Sequence, residues 1–506
     1  MDDLSASARV QSPSDQCGER LCVESASWAL ARQSPRASAA FNLLPPLRLW
    51  LPLAVFIAGL SLAAPVFMAH VALSSLYGFF AVLSLTRLVA LTSKPVYCAQ
   101  ATLPRNALPL ITVMVALHNE AEVCGDLVKA LKRLDYPRER LEFILLLENH
   151  DRVTIAAAEH AAPQISARVL VLPAGTGPMT KPRALNYGLQ LAKGELVAIY
   201  DAEDAPHPGQ LIAAAEAFAA NAKVGVVQAP LGWYNRASTW LTRQFGIEYA
   251  VQFSVLLPLY ARLSFPLPLG GTSNVFRRRA LDDVCGWDAF NVTEDADLGF
   301  RLARFGWKAG MVAPGTLEEA PETLGAWTAQ RSRWLKGHLV TWLVHMRDIR
   351  TLAEQAGGRA VLGLQLTLLA NVFGAASFAP GLILIGLAGV AIWTDQAGII
   401  VWTGLAIAAL SLVTTLALIL LAAKRTDIPL SLIDILRLPA YWLAQTPALV
   451  RALRELVQAP YMWAKTEHGL SEAQRVAPDG FDTHAFVDGH QRSNLRVFGM
   501  ANKPAE

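Results

Sequence analysis

The stretch ELVAIYDAED (195–204) decides how this chain is read. Leu196 to Tyr200 is an uncharged apolar run, the signature of a strand buried on both faces of a sheet. It passes directly into Asp201, Glu203 and Asp204, three carboxylates within four residues. Open α/β sheets bind ligands outside the carboxyl ends of their strands, so these acids sit where chemistry is expected. Carboxylates this close repel one another unless a cation compensates. Mg²⁺ or Mn²⁺ takes oxygen ligands and bridges phosphates. Asp201 and Glu203 are the candidate metal pair. An isolated acidic triplet is usually a solvated turn; the apolar strand ahead of this one argues otherwise.

Three further runs fit the same pattern: LPLITVMVALHNE (108–120), FILLLENHD (143–151) and RVLVLPA (168–174), with helical patterns between them. Strands alternating with helices predict a parallel α/β sheet over residues 105–345. The flanks differ. The whole chain is 53% hydrophobic and only 17% charged, with mean hydropathy +0.33, which implies either an unusually large buried core or a part in lipid. Residues 49–69 and 71–91 predict a membrane hairpin turning at His70, with Arg87 near the end of the second span, where it can snorkel. Residues 361–393 and 398–423 predict a two-span return, and 428–450, with Asp434, Arg437 and two prolines, spans the membrane or lies in its interface. The expected organisation is a disordered N-terminus (1–45), two membrane helices (46–92), the α/β domain (105–345), membrane and interfacial helices (360–452) and a polar tail (453–506). Basic residues beside the spans place the N-terminus and the domain in the cytoplasm, at an inner (plasma) membrane. The start Met1-Asp2-Asp3 does not read as a signal peptide. A net charge of +3 is too small to imply nucleic acid. Five cysteines without a CxxC pair indicate neither a zinc site nor a disulfide framework.

Four more constellations carry chemistry. In NVTEDADLGFRLARFGW (291–307), Glu294 and Asp295 open an amphipathic helix that Thr293 can cap. A carboxylate there serves the helix dipole or acts as a general base; Asp295 is the candidate base, with Glu294 beside it. In QRSRWLKG (330–337), Arg333 offers a guanidinium fork for a diphosphate and Trp334 an indole for a sugar ring, with Gln330 one turn earlier. GTGPMTKPRALNYG (175–188) puts Lys181 and Arg183 in a glycine-containing loop before a helix, without the Walker spacing. LGGTSNVFRR (269–278) suits close backbone approach to a ligand.

In this order, NE (119–120), an acid after the second strand, DAED (201–204), GTSN (271–274), TED (293–295) and QRSRW (330–334) together resemble glycosyltransferase family 2. The resemblance is closest to its processive membrane branch, which contains cellulose, chitin and hyaluronan synthases, and within it to bacterial exopolysaccharide glycosyltransferases. It implies a GT-A (Rossmann-like) fold flanked by transmembrane helices, inversion at the anomeric carbon, a UDP-sugar donor, a divalent metal (Mg²⁺ or Mn²⁺) and export partners for an exopolysaccharide. By position, Asp201 and Glu203 correspond to the DxD residues, Asp295 to the general base, and Gln330, Arg333 and Trp334 to the diphosphate and acceptor contacts. Lys181 corresponds to a lysine near the donor. Two departures stand out. The family's first carboxylate falls in Glu148-Asn149-His150-Asp151, where Asp151 is preferred and Glu148 is the alternative. Glu203 replaces the second Asp of DxD, and its extra methylene lets Asp204 substitute. The activity expected on this basis is transfer of a sugar, glucose by default, to a growing β-linked polysaccharide. The alternative is a single addition to a membrane lipid. A non-catalytic binding subunit would be expected to show damaged acidic motifs, whereas TED and Q-x-x-R-W are intact.

Overall fold

A computed structural model describes residues 13–41, 43 and 47–462. In chain order the helices are α1 (Pro13–Gln33), α2 (Leu47–Ala63), α3 (Pro65–Thr92), α4 (Cys124–Lys132), α5 (Arg152–Ala161), α6 (Lys181–Leu191), α7 (Gln210–Ala220), α8 (Trp240–Val251), α9 (Leu257–Arg262), α10 (Arg278–Asp283), α11 (Glu294–Arg304), α12 (Leu324–Met346), α13 (Ile349–Leu364), α14 (Ala370–Trp393), α15 (Ile399–Thr426), α16 (Leu432–Leu443) and α17 (Gln445–Gln458). The strands are β1 (Ile111–Leu117), β2 (Leu141–Glu148), β3 (Arg168–Leu172), β4 (Leu196–Tyr200), β5 (Ala205–Pro206), β6 (Val224–Gln228), β7 (Leu231–Trp233), β8 (Asn274–Arg277), β9 (Lys308–Met311) and β10 (Thr316–Glu318).

Among the described residues, seven strands form one sheet in the order β3-β2-β1-β4-β8-β6-β9. The four strands expected from sequence are its parallel half: β1 pairs with β2 from Ile111↔Leu141 and with β4 from Ile111↔Leu196. Every residue of β4 is buried, as an uncharged run between two sheet faces requires. The sheet is mixed rather than parallel throughout, because β8 runs antiparallel to both β4 and β6. That reversal has a purpose in the architecture. The Ile199↔Asn274 pairing lays residues 269–273 beside the acids that follow β4. A second, three-stranded sheet, β5-β10-β7, pairs Leu317 with Ala205 and so brings Glu318 to the same edge.

The membrane segments differ from the sequence reading in two ways. The break between the first two helices falls at Ala64-Pro65, not His70: Ala64 leaves helical geometry and Pro65 takes the first helical turn, where a missing N–H costs nothing. As a result α2 has only 17 residues, about 26 Å of helix against a hydrocarbon core of about 30 Å. Helices 65–92, 349–393 and 399–426 are long and apolar enough to cross a membrane. Residues 428–450 form two helices of 12 and 14 residues, too short to span. On α16, Asp434 is buried and paired with Arg243 of α8, while Leu432, Ile433 and Leu436 are exposed, the pattern of a helix lying in an interface.

The N-terminal segment expected to be disordered includes α1. Val23 and Ala26 are buried, Asn186 Nδ2 donates to the Ala26 carbonyl at 2.9 Å, and Asp288 accepts from the Ala39 N–H at 2.6 Å. The signal missed was the apolar spacing of Val23, Ala26 and Leu30 within a polar composition. Residues 1–12 and the tail beyond 462 lie outside the described residues.

The helix that carries Glu294 and Asp295 is seated by a glycine. A Cβ on Gly299 would lie 1.9 Å from the Leu267 carbonyl oxygen. Gly299→Ala should therefore cost on the order of 1–3 kcal/mol of stability, read as a lower thermal midpoint of the purified protein. An unchanged midpoint would contradict this packing.

Candidate active site

The carboxyl ends of β1, β2 and β4 open into a cavity of about 590 Å³. Of the residues singled out from sequence, Lys181, Asp201, Glu203, Glu294, Asp295, Gln330, Arg333 and Trp334 all line it. Asp151 does not. It caps α5, accepting from the Thr154 N–H at 3.2 Å, and also accepts from the Asn119 N–H at 2.5 Å. The alternative, Glu148, reaches the cavity and is paired with the buried Arg183. Arg183 is therefore committed to holding the end of β2.

The acids are arranged in two groups. Asp201 and Glu203 follow β4, and Asp204 turns back to accept from the Asp201 N–H at 2.8 Å and from the Thr272 hydroxyl. This fixes the DAED turn against the 269–273 loop and makes Asp204 a brace for it. Glu318 joins them from β10. Burial, reinforced by mutual repulsion with their acidic neighbours, holds Glu203, Asp204 and Glu318 well above the usual carboxylate range. Glu318 was missed from sequence; the adjacent acids Glu318-Glu319 at the end of a short apolar strand were the available signal. The second group is Glu294 and Asp295 at the start of α11. Burial raises Asp295 to about 6, while burial and repulsion by Asp295 raise Glu294 to about 8.

Two cations lie among these acids. Lys181 Nζ is paired with Asp201 and donates to the Gly271 carbonyl at 2.7 Å. Burial opposes its charge, but Asp201 and Glu294 outweigh burial and hold the ammonium firmly protonated. Arg333 feels Glu294, Asp201, Asp295 and Glu203 together. Gly271 passes between the groups: a Cβ there would lie 3.3 Å from Asp295 Oδ2 and 3.9 Å from Lys181 Nζ. The backbone of LGGTSN thus runs where a side chain would intrude.

The acid set suits a divalent metal. Its donors are hard oxygens, its charges are under-compensated, and the buried Asp204 Oδ1 and Glu318 Oε1 have no hydrogen-bond partner. Among the described residues no three His, Cys, Asp or Glu side chains converge to enclose an ion. An ion held by Asp201 and Glu203 would therefore need oxygens from a bound diphosphate, the usual way in which Mg²⁺ is held.

Trp334 faces the cavity from α12, with Tyr249 stacked at 6.2 Å between ring centroids and Phe245 at 5.7 Å. Arg331, the other arginine of QRSRW, has a structural role. Its guanidinium lies 4.9–5.2 Å from the rings of Trp334, Trp327 and Phe245 and is bidentate to Glu248 at 2.7 Å. Glu248 also accepts from the Tyr441 hydroxyl, so α8, α12 and α16 meet at one carboxylate. The cavity continues past Tyr249 and His338 to Leu83, Thr86 and Arg87 on α3 and to Leu366, Thr367, Ala370 and Asn371. It is flanked by two π-helical turns, Gln252–Leu256 and Gln365–Leu369, a feature common at functional sites.

Residues 109–337, just under half of the chain, match the family described as "Glycosyltransferase like family 2", and that segment holds the α/β mixed sheet of the GT-A fold. It is similar to the "Probable glycosyltransferase YdaM" of Bacillus subtilis, with 29% identity over 46% of this chain and 56% of the relative. It is likewise similar to the "Beta-monoglucosyldiacylglycerol synthase" of Synechocystis sp., with 32% identity over 48% and 50%. The chain thus spans about half the length of the curated relatives it matches. Among solved structures, the mannosyltransferase PcManGT of Pyrobaculum calidifontis, in complex with GDP-Man and Mn²⁺, aligns over 76% of this chain and 97% of its own at 19% identity and a TM-score of 0.49.

Breaking the Arg331 pair tests its structural role. Arg331→Ala should destabilise the protein toward the lower end of the roughly 3–5 kcal/mol typical of broken buried pairs, because the Glu248 side chain is 33% exposed. Glu248→Gln, which keeps an acceptor for the guanidinium, should cost less. Equal thermal midpoints for both variants and the parent would refute this role.

Proposed function

We propose that this protein is an inverting glycosyltransferase that adds a single sugar from a nucleotide-diphosphate donor to a membrane-lipid acceptor. The observation that carries this reading is one continuous cavity, running from Asp295 to Leu83, Thr86 and Leu366 on the membrane-side helices. A lipid whose tail lies among those helices can present a hydroxyl at the acid-lined end without leaving the bilayer. The names of the Synechocystis relative and of a second, from Nostoc sp. at 31% identity, both "Beta-monoglucosyldiacylglycerol synthase", favour this acceptor over the growing polysaccharide expected first from sequence. UDP-glucose is the first donor to test.

In the proposed reaction Asp295 takes the proton of the acceptor hydroxyl as its oxygen attacks the anomeric carbon. The bond from that carbon to the diphosphate oxygen breaks on the opposite face, and the nucleoside diphosphate leaves with the electron pair. Lys181 and Arg333 balance the charge that develops on it. Asp201 and Glu203 would hold the divalent metal, which supplies further charge neutralisation at the diphosphate. Gln330 and Trp334 orient the acceptor, the indole offering a flat face to a ring or to the glycerol backbone. Glu294, raised further than Asp295, holds its proton while Asp295 ionises, so the pair presents a single negative charge at the base.

A general base must be ionised, so turnover should fall as pH drops through about 6, where Asp295 takes up its proton. Asp295→Asn should lower kcat by about 10²–10⁴-fold and leave nucleotide affinity nearly unchanged. Parent-like turnover in that variant would reject the assignment. The acceptor is tested by supplying radiolabelled UDP-glucose to membranes containing the protein and separating the products. Label in a chloroform-soluble glycolipid is expected; label retained in a water-soluble polymer would restore the processive reading.

A further inference from the structure

Arg87 lies within α3, and residues 47–92, 361–393 and 399–423 contain no Asp or Glu that could pair with it there. Near a helix end, an arginine normally snorkels toward the interface. Arg87 turns the other way. The far ends of α3 and α15 lie together, since Arg425 Nη2 donates to the Ser93 carbonyl at 2.9 Å. Arg87, six positions before Ser93, reaches to Ser411, fourteen positions before Arg425, and donates to its hydroxyl at 2.8 Å. The guanidinium is therefore held away from the basic end of the helix pair. A serine hydroxyl satisfies one of its five N–H donors and none of its charge. Arg87 and Thr86 also line the membrane end of the cavity, across from Leu256, Leu257 and Tyr260. A cation in that setting marks a site for an anion.

We infer that the membrane end of the cavity binds an anionic phospholipid, with its phosphate on Arg87 and its acyl chains among Leu83, Leu256 and Leu366. The guanidinium fork matches phosphate oxygens in pairs. The Tyr260 hydroxyl supplies a further donor. This phosphate is not the reacting group. Arg87 sits on α3, whereas Asp295, the proposed base, lies with Lys181 beside Gly271 at the acid-lined end. The lipid is a resident neighbour of the acceptor, and the site makes the enzyme's working surface depend on bilayer charge. The inference extends the lipid-acceptor reading, but its binding test requires no turnover.

The test is native mass spectrometry of the full chain released from phosphatidylcholine nanodiscs prepared with and without phosphatidylglycerol. The parent should retain phosphatidylglycerol in preference to phosphatidylcholine. Arg87→Gln should reduce that retention roughly ten- to a hundred-fold. Arg87→Lys, which keeps the charge but loses the fork, should fall between. Ser411→Ala, which frees the guanidinium, should retain the lipid. Equal retention of the two lipids by the parent would overturn the site whatever the variants do, as would parent-like retention in a folded Arg87→Gln protein. Transfer of labelled sugar onto phosphatidylglycerol itself would also overturn the assignment, by making that lipid the acceptor.

Discussion

The structure depends on keeping Asp201, Glu203, Asp204, Glu294, Asp295 and Glu318 together in one largely buried region with Lys181 and Arg333 among them. Two like charges about 4 Å apart repel by roughly 4 kcal/mol at a protein-like dielectric, and burial adds a desolvation cost for each ionised group. The fold answers first with protonation: Glu203, Asp204, Glu318 and the Glu294–Asp295 pair are all raised above the usual range. It answers next with geometry, since Lys181 is the first residue of α6 and is delivered to Asp201 by the loop ahead of it. A divalent cation arriving here would displace protons from these carboxyls and take their oxygens as ligands.

The surrounding topology can be read as the means of holding that repulsion. Asp204 is tied to Thr272 because β8 returns antiparallel beside β4. Glu318 arrives because β10 pairs with β5. α11 packs closely enough against the Leu267 backbone to exclude any side chain at position 299, so Glu294 and Asp295 cannot drift apart. On the far side, α12 is fixed twice. Arg331 lies in its aromatic box with Glu248, and Lys336 donates to Glu455 at 3.1 Å and to the Met462 carbonyl at 2.8 Å. Between these anchors Arg333 and Trp334 have little freedom, which is what orientation of a reacting pair requires.

Most of the site was legible in the sequence because each motif sits at the end of an element whose periodicity is strong. β4 announces Asp201 and Glu203, the amphipathic pattern of α11 announces Asp295, and Q-x-x-R-W occupies one face of a long helix. What was not legible depended on tertiary pairing. Asp151 and Glu148 are three residues apart, and only the fold shows one capping a helix while the other reaches the cavity. Glu318 comes from a three-residue strand with no periodicity to read. Arg331 and Arg333 are both basic and two apart, so helical geometry turns them to different surroundings, one into an aromatic box and the other toward the acids. The helix break at Pro65 was readable in principle, because proline favours the first turn of a helix; the length of the apolar run concealed it.

The cavity also explains why the membrane helices belong to the site rather than serving only as an anchor. A domain held at a membrane by helices packed independently of it would expose its acid-lined edge to water. Here α3 packs along α15, and Arg425 of α15 donates both to Ser93 and to the Ser254 carbonyl inside the π-turn that follows α8. That π-turn lines the cavity through Gln252, Phe253 and Leu256, and its counterpart at 365–369 lines it through Leu366 and Thr367. A π-turn adds a residue to the helical circuit and locally disturbs the regular wall. Placed on facing helices, the two turns leave room between elements that would otherwise pack closed. The apolar end of the cavity is thus built into the helices long and apolar enough to cross a membrane, and the acid-lined end and the apolar end form one cavity because the same segments make both.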